Sequence, residues 1–161
     1  MKMNKRGVSL IELVIVLAII AIGAVLTIPN MGPWIQTYRL RSATRDIVSV
    51  MRVANMKSVS TNAEYRVYFH TVERKFWLER GNQSDNSTNW VGTTDPGNAA
   101  KEGDFTSLPG GVTITANPQN FIEFNPNSTC SAISITLTNS KLRTASISAV
   151  TSTGKVTGKV N

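Results

Sequence analysis

From Leu13 to Tyr38 the chain carries no charged residue, and Leu13 to Leu26 is apolar or glycine throughout. This run constrains the fold more than any other feature. A helix that is apolar on every side cannot lie on the surface of a water-soluble domain, and needs lipid or other apolar helices around it. Ahead of the run stands a basic head, Lys2, Lys5 and Arg6, closed by Gly7. One acidic residue, Glu12, sits at the edge of the run.

Three readings of this segment compete. An ordinary secretory signal has a basic head, an apolar core of about 7–15 residues and a small-residue cleavage site. Ala21-Ile22-Gly23 would serve as that site and release a soluble β-rich domain beginning at Ala24. A simple membrane anchor needs about 20 apolar residues. Val8 to Ile28 is 21 residues long, close to that length, and the basic head would hold the N-terminus in the cytoplasm. Neither reading gives Glu12 a role beyond snorkelling at the membrane edge, although a carboxylate carried to the membrane centre costs about 2.5–3.5 kcal/mol. The third reading uses Gly7 and Glu12 together.

The string Gly7-Val8-Ser9-Leu10-Ile11-Glu12-Leu13 resembles the type IV prepilin cleavage motif. The resemblance implies that a membrane-embedded prepilin peptidase cuts between Gly7 and Val8, removing residues 1–7 as a leader and retaining the apolar run. It also implies N-methylation of the new Val8 amine, at a position where Phe or Met is usual. Pro29 falls where these helices commonly kink. Glu12 then acquires an assembly role. A carboxylate in apolar surroundings needs a partner or it neutralises. The cationic amine of Val8, one helical turn away or on a neighbouring subunit, is that partner.

Beyond the run, Pro29, Gly32 and Pro33 interrupt the helical signal, and Thr27–Pro33 reads as a bent or locally melted zone. Helical spacing resumes with Leu40, Ala43, Ile47, Val50, Met51 and Ala54, while Arg39, Arg41, Arg45, Arg52 and Lys57 lie mostly off that stripe. The helix ends near Ser60-Thr61-Asn62, and a continuous helix from Val8 would be about 80 Å long. Alternation then predicts strands at Tyr65–His70 and Phe76–Glu79, joined by a hairpin loop over 71–75. Gly81 to Asp104 reads as a long polar loop. Further strands are expected at Val112–Ile114, Phe121–Phe124, Ile133–Leu137, Leu142–Val150 and Lys155–Val160. Six or seven short strands with one long helix to cover them form two small sheets or one curled sheet.

Scattered blocks carry a second resemblance. Tyr38-Arg39-Leu40-Arg41-Ser42-Ala43 with Arg45-Asp46, the Leu108–Val112 turn, Phe124-Asn125-Pro126 and Ser152–Val156 resemble the GspH/FimT-like minor pilins and pseudopilins. The fold expected is therefore α+β and pilin-like: a long N-terminal transmembrane and amphipathic helix packed on a small antiparallel β domain. The expected divisions are a leader (1–7), a helix (8–61, with 8–28 as the membrane or assembly part and 29–61 as the amphipathic part) and a β-rich domain (62–161).

The remaining residues suggest no catalysis. Cys130 is the only cysteine and reads as a small buried hydrophobe. His70 is the only histidine and is expected on a strand surface. Asp85, Asp95 and Asp104 lack calcium-loop spacing. No enzyme activity, metal or cofactor is expected. The formal charge is +7, with three of the basic residues in the head, so the domain itself is only mildly basic. Lys155 and Lys159, four apart on one strand face, are a candidate DNA contact by likeness to minor pilins with a basic C-terminal segment. As lysines they lack the arginine fork, and they suit better an edge strand protected against sheet-to-sheet pairing. The resemblance implies a minor pilin or pseudopilin that primes or caps a type IV pilus or type II secretion pseudopilus. Its partners would be other pilin-like subunits, the prepilin peptidase and an inner-membrane platform. Its location would be the bacterial inner membrane, single-pass with the β domain periplasmic, and then the filament. The alternatives are a DNA-binding tip subunit and a domain released by signal peptidase.

Overall fold

The computed structural model describes residues 8–27, 32–91 and 105–161. They form helices α1 (Leu10–Thr27) and α2 (Gly32–Thr61) and strands β1 (Tyr65–His70), β2 (Lys75–Gly81), β3 (Trp90–Val91), β4 (Thr106–Ser107), β5 (Val112–Asn117), β6 (Phe121–Phe124), β7 (Ser134–Asn139), β8 (Thr144–Val150) and β9 (Lys155–Val160). The chain divides into two compact units, Met1–Ile35 and Gln36–Asn161. The expected helix over 8–61 is thus seen as two helical segments, and the expected kink at Pro29 lies outside the described residues. Pro33 belongs to α2 as its second residue rather than to a bent zone. At a helix start proline is tolerated, because first-turn N–H groups have no intrahelical acceptor.

In the second unit α2 buries Leu40, Ala43, Thr44, Ile47, Val48, Met51, Ala54 and Ser58. The expected stripe is there, with Val50 only half-buried and two polar residues added. Each polar residue has a local partner. The Thr44 hydroxyl donates to the Leu40 carbonyl (2.8 Å), and Ser58 donates to Asn55 (2.8 Å) and to Asn125 beyond β6 (3.1 Å). Burial without such bonds would cost about 1–3 kcal/mol each. The helix ends as expected, with Asn62 in the left-handed region (φ 51°).

All pairings are antiparallel and form two sheets. One runs β3-β2-β1-β6, with β4 also on β2; the other runs β5-β7-β8-β9. Strand alternation sends Tyr65, Val67, Phe69, Ile122 and Phe124 from the first sheet, and Ile114, Ile135, Leu137 and Ile147 from the second, into one core with the α2 stripe. Of the two arrangements expected, two small sheets is the one found.

The long polar loop expected over 81–104 is corrected in its first half. Residues 82–89 lead back to the first sheet, where Trp90 pairs with Gly81 and Val91 with Arg80. The segment is tied down by Glu64, a buried carboxylate that accepts the backbone N–H groups of Asn86 (3.0 Å) and Ser87 (2.6 Å). Trp90 then lies over Arg66, with the guanidinium carbon 4.3 Å from the ring centroid. Arg66 also faces Phe121 (5.2 Å) and pairs with the buried Glu79, which accepts the Trp77 indole N–H at 2.8 Å. This face of the sheet points away from α2, yet it carries a second, polar and aromatic cluster. Residues 92–104 lie outside the described residues.

Candidate assembly site

The assembly site expected from the sequence is the head of α1. Gly7 and the rest of the leader lie outside the described residues, so the cleavage bond is placed only on its Val8 side. Val8 is 74% exposed. The helix starts two residues later, and the Ser9 carbonyl accepts the Leu13 N–H at 3.2 Å. Ser9 is therefore the N-cap residue, and Glu12 lies in the first turn, where unpaired N–H groups favour a negative charge. Ser9-Leu10-Ile11-Glu12 leading into an apolar run also matches the capping-box pattern, a signal in the sequence that explains why the helix begins here. Glu12 thus has two fitting positions at once: on the favourable end of the helix dipole, and one turn from the amine that cleavage at Gly7 would create.

Every large apolar residue from Leu10 to Ile22 is 50–80% exposed. The exposure goes all the way round α1 and leaves no polar face, apart from Glu12, on which water could rest. At 18 residues α1 is about 27 Å long, slightly under the roughly 30 Å of a hydrocarbon core. No helix among the described residues is long and apolar enough to cross a membrane. The expected span Val8–Ile28 includes a residue outside the described set.

The other singled-out residues are dispersed. Lys155 and Lys159 are exposed on β9, at one end of the second sheet, where they stand opposite Val150 and Ser146. His70 is half-buried rather than freely exposed, stacked on Trp77, and its Nδ1 accepts the Glu73 N–H at 3.1 Å. It ends β1 and holds the first turn of the hairpin. Cys130 is buried, and burial pushes its thiol up from its ordinary range. Asp85 accepts a bond from Asn86, while Asp95 and Asp104 lie outside the described residues. No cluster of three metal-ligating side chains occurs among the described residues. The sequence reading missed the buried carboxylates Glu64 and Glu79. The one available signal was Glu79 and Arg66 on facing strands.

A helix with a capped, acid-bearing head and an apolar surface, and a β domain of two antiparallel sheets around one amphipathic helix, make up a pilin-like architecture. The comparisons agree. Residues 2–28 match the family described as the prokaryotic N-terminal methylation motif. Type II secretion system protein H of Xanthomonas campestris pv. campestris is 30% identical over 80 residues, which is 50% of this chain and 47% of that protein. The chain thus spans about half the length of this curated relative. Among solved structures, E. coli GspH superposes with a TM-score of 0.59 at 8% identity, covering 83% of this chain and 94% of that one. The Pseudomonas aeruginosa type IV minor pilin FimU gives 0.55 at 12% identity, covering 78% and 91%. The N-terminal segment thus carries the methylation motif, and the β domain shares the fold of GspH and FimU.

Proposed function

We propose that the chain is a minor pilin or pseudopilin subunit that assembles into, primes or caps a type IV pilus or a type II secretion pseudopilus. The observation that carries this is the head of α1: Val8 exposed, Glu12 in the first helical turn, and an apolar surface with no polar face behind them. The prepilin peptidase cuts after Gly7 and methylates Val8. The apolar helix holds the subunit in the bacterial inner membrane with its β domain in the periplasm, until the assembly platform passes it to the filament. There the same surface packs against the helices of neighbouring subunits, and Glu12 meets a terminal amine. Both environments satisfy one requirement, removal of the α1 surface from water. The role is assembly, without catalysis.

The test is the mature N-terminus. Mass spectrometry of the protein from membranes should find a methylated Val8. An end at Ala24 would mean cleavage by ordinary signal peptidase and would overturn the filament reading. Glu12→Ala should leave cleavage and methylation intact and abolish incorporation into filaments. Normal incorporation of that variant would remove Glu12 from the assembly step.

A further inference from the structure

The sheet β5-β7-β8-β9 ends on β9, and among the described residues no strand pairs with its far side. The Asn161 N–H donates to the Thr144 carbonyl at 3.0 Å. Lys159, Thr157 and Lys155 stand opposite Ser146, Ser148 and Val150, each one step of two further along. In an antiparallel ladder the mutually bonded pairs recur at every second residue. These three residues therefore exchange bonds with β8, and Val156, Gly158 and Val160 aim their N–H and C=O groups at the open edge. Such an edge is a template for another strand.

Helix α2 runs beside it. The two touch at Gly158, where an added Cβ would lie 2.9 Å from Thr44 Cγ2 and 3.0 Å from Val48 Cγ2. Between them lies a groove of about 430 Å³ lined by Thr44, Arg45, Val48, Ser49, Arg52 and Gly158. Arg45 and Arg52 are exposed and stand two turns apart, about 10 Å along the helix. Lys155 and Lys159 are exposed on the other face of β9. None of these four cations has an ion-pair partner among the described residues. Asp46 is the single acidic residue of α2.

We propose that this groove takes an extended acidic segment of a partner polypeptide, added to β9 as a fifth strand. Val156, Gly158 and Val160 supply the main-chain bonds. Alternate side chains of the segment face α2, where carboxylates meet Arg45 and Arg52, and the intervening ones flank Lys155 and Lys159. The edge cations select the partner. A second copy of β9 is repelled by like charge, and an acidic strand is attracted. A nucleic acid would answer the charge but has no use for a row of alternating N–H and C=O groups two residues apart. The inference stands on β9 and α2 alone and does not depend on the filament reading.

The experiment uses the full chain in detergent micelles, titrated at low salt with an octapeptide of alternating Glu and Val, and read by amide hydrogen exchange. The expected result is new protection at the amides of Val156, Gly158 and Val160. Arg45→Ala and Arg52→Ala should each weaken binding about threefold, as exposed ion pairs do, and added salt should weaken it further. The same peptide with Lys for Glu should not bind. Absence of protection at those three amides at millimolar peptide would overturn the proposal. So would binding unchanged in the double arginine variant. A short DNA duplex that binds through the two arginines while the peptide does not would reassign the groove to nucleic acid.

Discussion

Glu79 offers the sharpest test of how the β domain is held together. It is fully buried on the face of the first sheet that points away from α2. Glu79→Ala removes the counter-charge of Arg66, whose side chain is only 14% exposed. Breaking a buried pair in this way costs about 3–5 kcal/mol. It also leaves the Trp77 indole N–H without its acceptor, a loss of about 1–3 kcal/mol. Two effects offset part of this. The guanidinium keeps the faces of Trp90 at 4.3 Å and Phe121 at 5.2 Å, and such contacts contribute about 0.5–2 kcal/mol. Its residual exposure also returns some hydration. The expected net loss is about 3–4 kcal/mol, or roughly 10–15 °C in Tm for a domain of this size. Urea unfolding followed by near-UV circular dichroism measures it, since Trp77 and Trp90 both report on the cluster. Hydrogen exchange should show residues 82–91 opening at lower free energy than the core. Glu79→Gln keeps an acceptor for Trp77 and should cost less than Glu79→Ala. The double replacement Arg66→Met with Glu79→Leu should recover most of the stability, because it leaves no unpaired charge. A loss under about 1 kcal/mol for Glu79→Ala, or a double variant as unstable as the single one, would refute the view that this face is a second core closed by an ion pair.

Further expectations follow from other parts of the domain. Gly158→Val should destabilise by about 1–3 kcal/mol, because its Cβ would meet Thr44 and Val48, while Gly110→Ala, whose Cβ meets only the flexible Arg39 guanidinium at 3.9 Å, should leave the urea midpoint nearly unchanged. Burial, and then the negative charge of Glu64, push the Glu123 carboxyl above its usual range against the pull of Arg66. A folded-state value above the unfolded one means that the contribution is complete at low pH and is lost as pH rises through the folded-state value. Glu123→Gln should therefore gain stability relative to the parent as pH rises above about 4, the unfolded-state range of a glutamate, as thermal melts at rising pH would show. Cys130 should react with a thiol reagent only on unfolding, because it is buried, its thiol donates to the Val150 carbonyl at 3.5 Å, and burial raises its ionisation.

The parts legible in the sequence are those that local pattern alone decides. An apolar run from Leu13 to Leu26 leaves no choice but an apolar helix, and the spacing of Leu40, Ala43, Ile47, Met51 and Ala54 sets which face of α2 meets the sheets. The hairpin of β1 and β2 and the last three strands follow from alternation bounded by turn residues. The illegible parts are those where a polar residue is buried by a partner far along the chain. Ser58 looks like a surface residue until its hydroxyl finds Asn125. Glu64 looks like a helix-end charge until the backbone of Asn86 and Ser87 closes on it. Trp90 sits in a stretch of Asn, Ser, Thr and Gly and reads as loop, because only in the fold does it pair with Gly81 and lie over the Arg66 guanidinium.

The same division holds for the candidate assembly site. Val8 and Glu12 are legible because their relation is local, one turn of one helix. The groove beside β9 is not, because it exists only when Gly158 lets the last strand approach α2. In the sequence Lys155 and Lys159 stand more than a hundred residues from Arg45, and they read as a basic tail. In the fold, Lys155 and Lys159 flank a strand edge whose other neighbour is a basic helix wall. That arrangement changes the most economical partner for the positive charge, from a phosphate backbone to an extended chain carrying carboxylates.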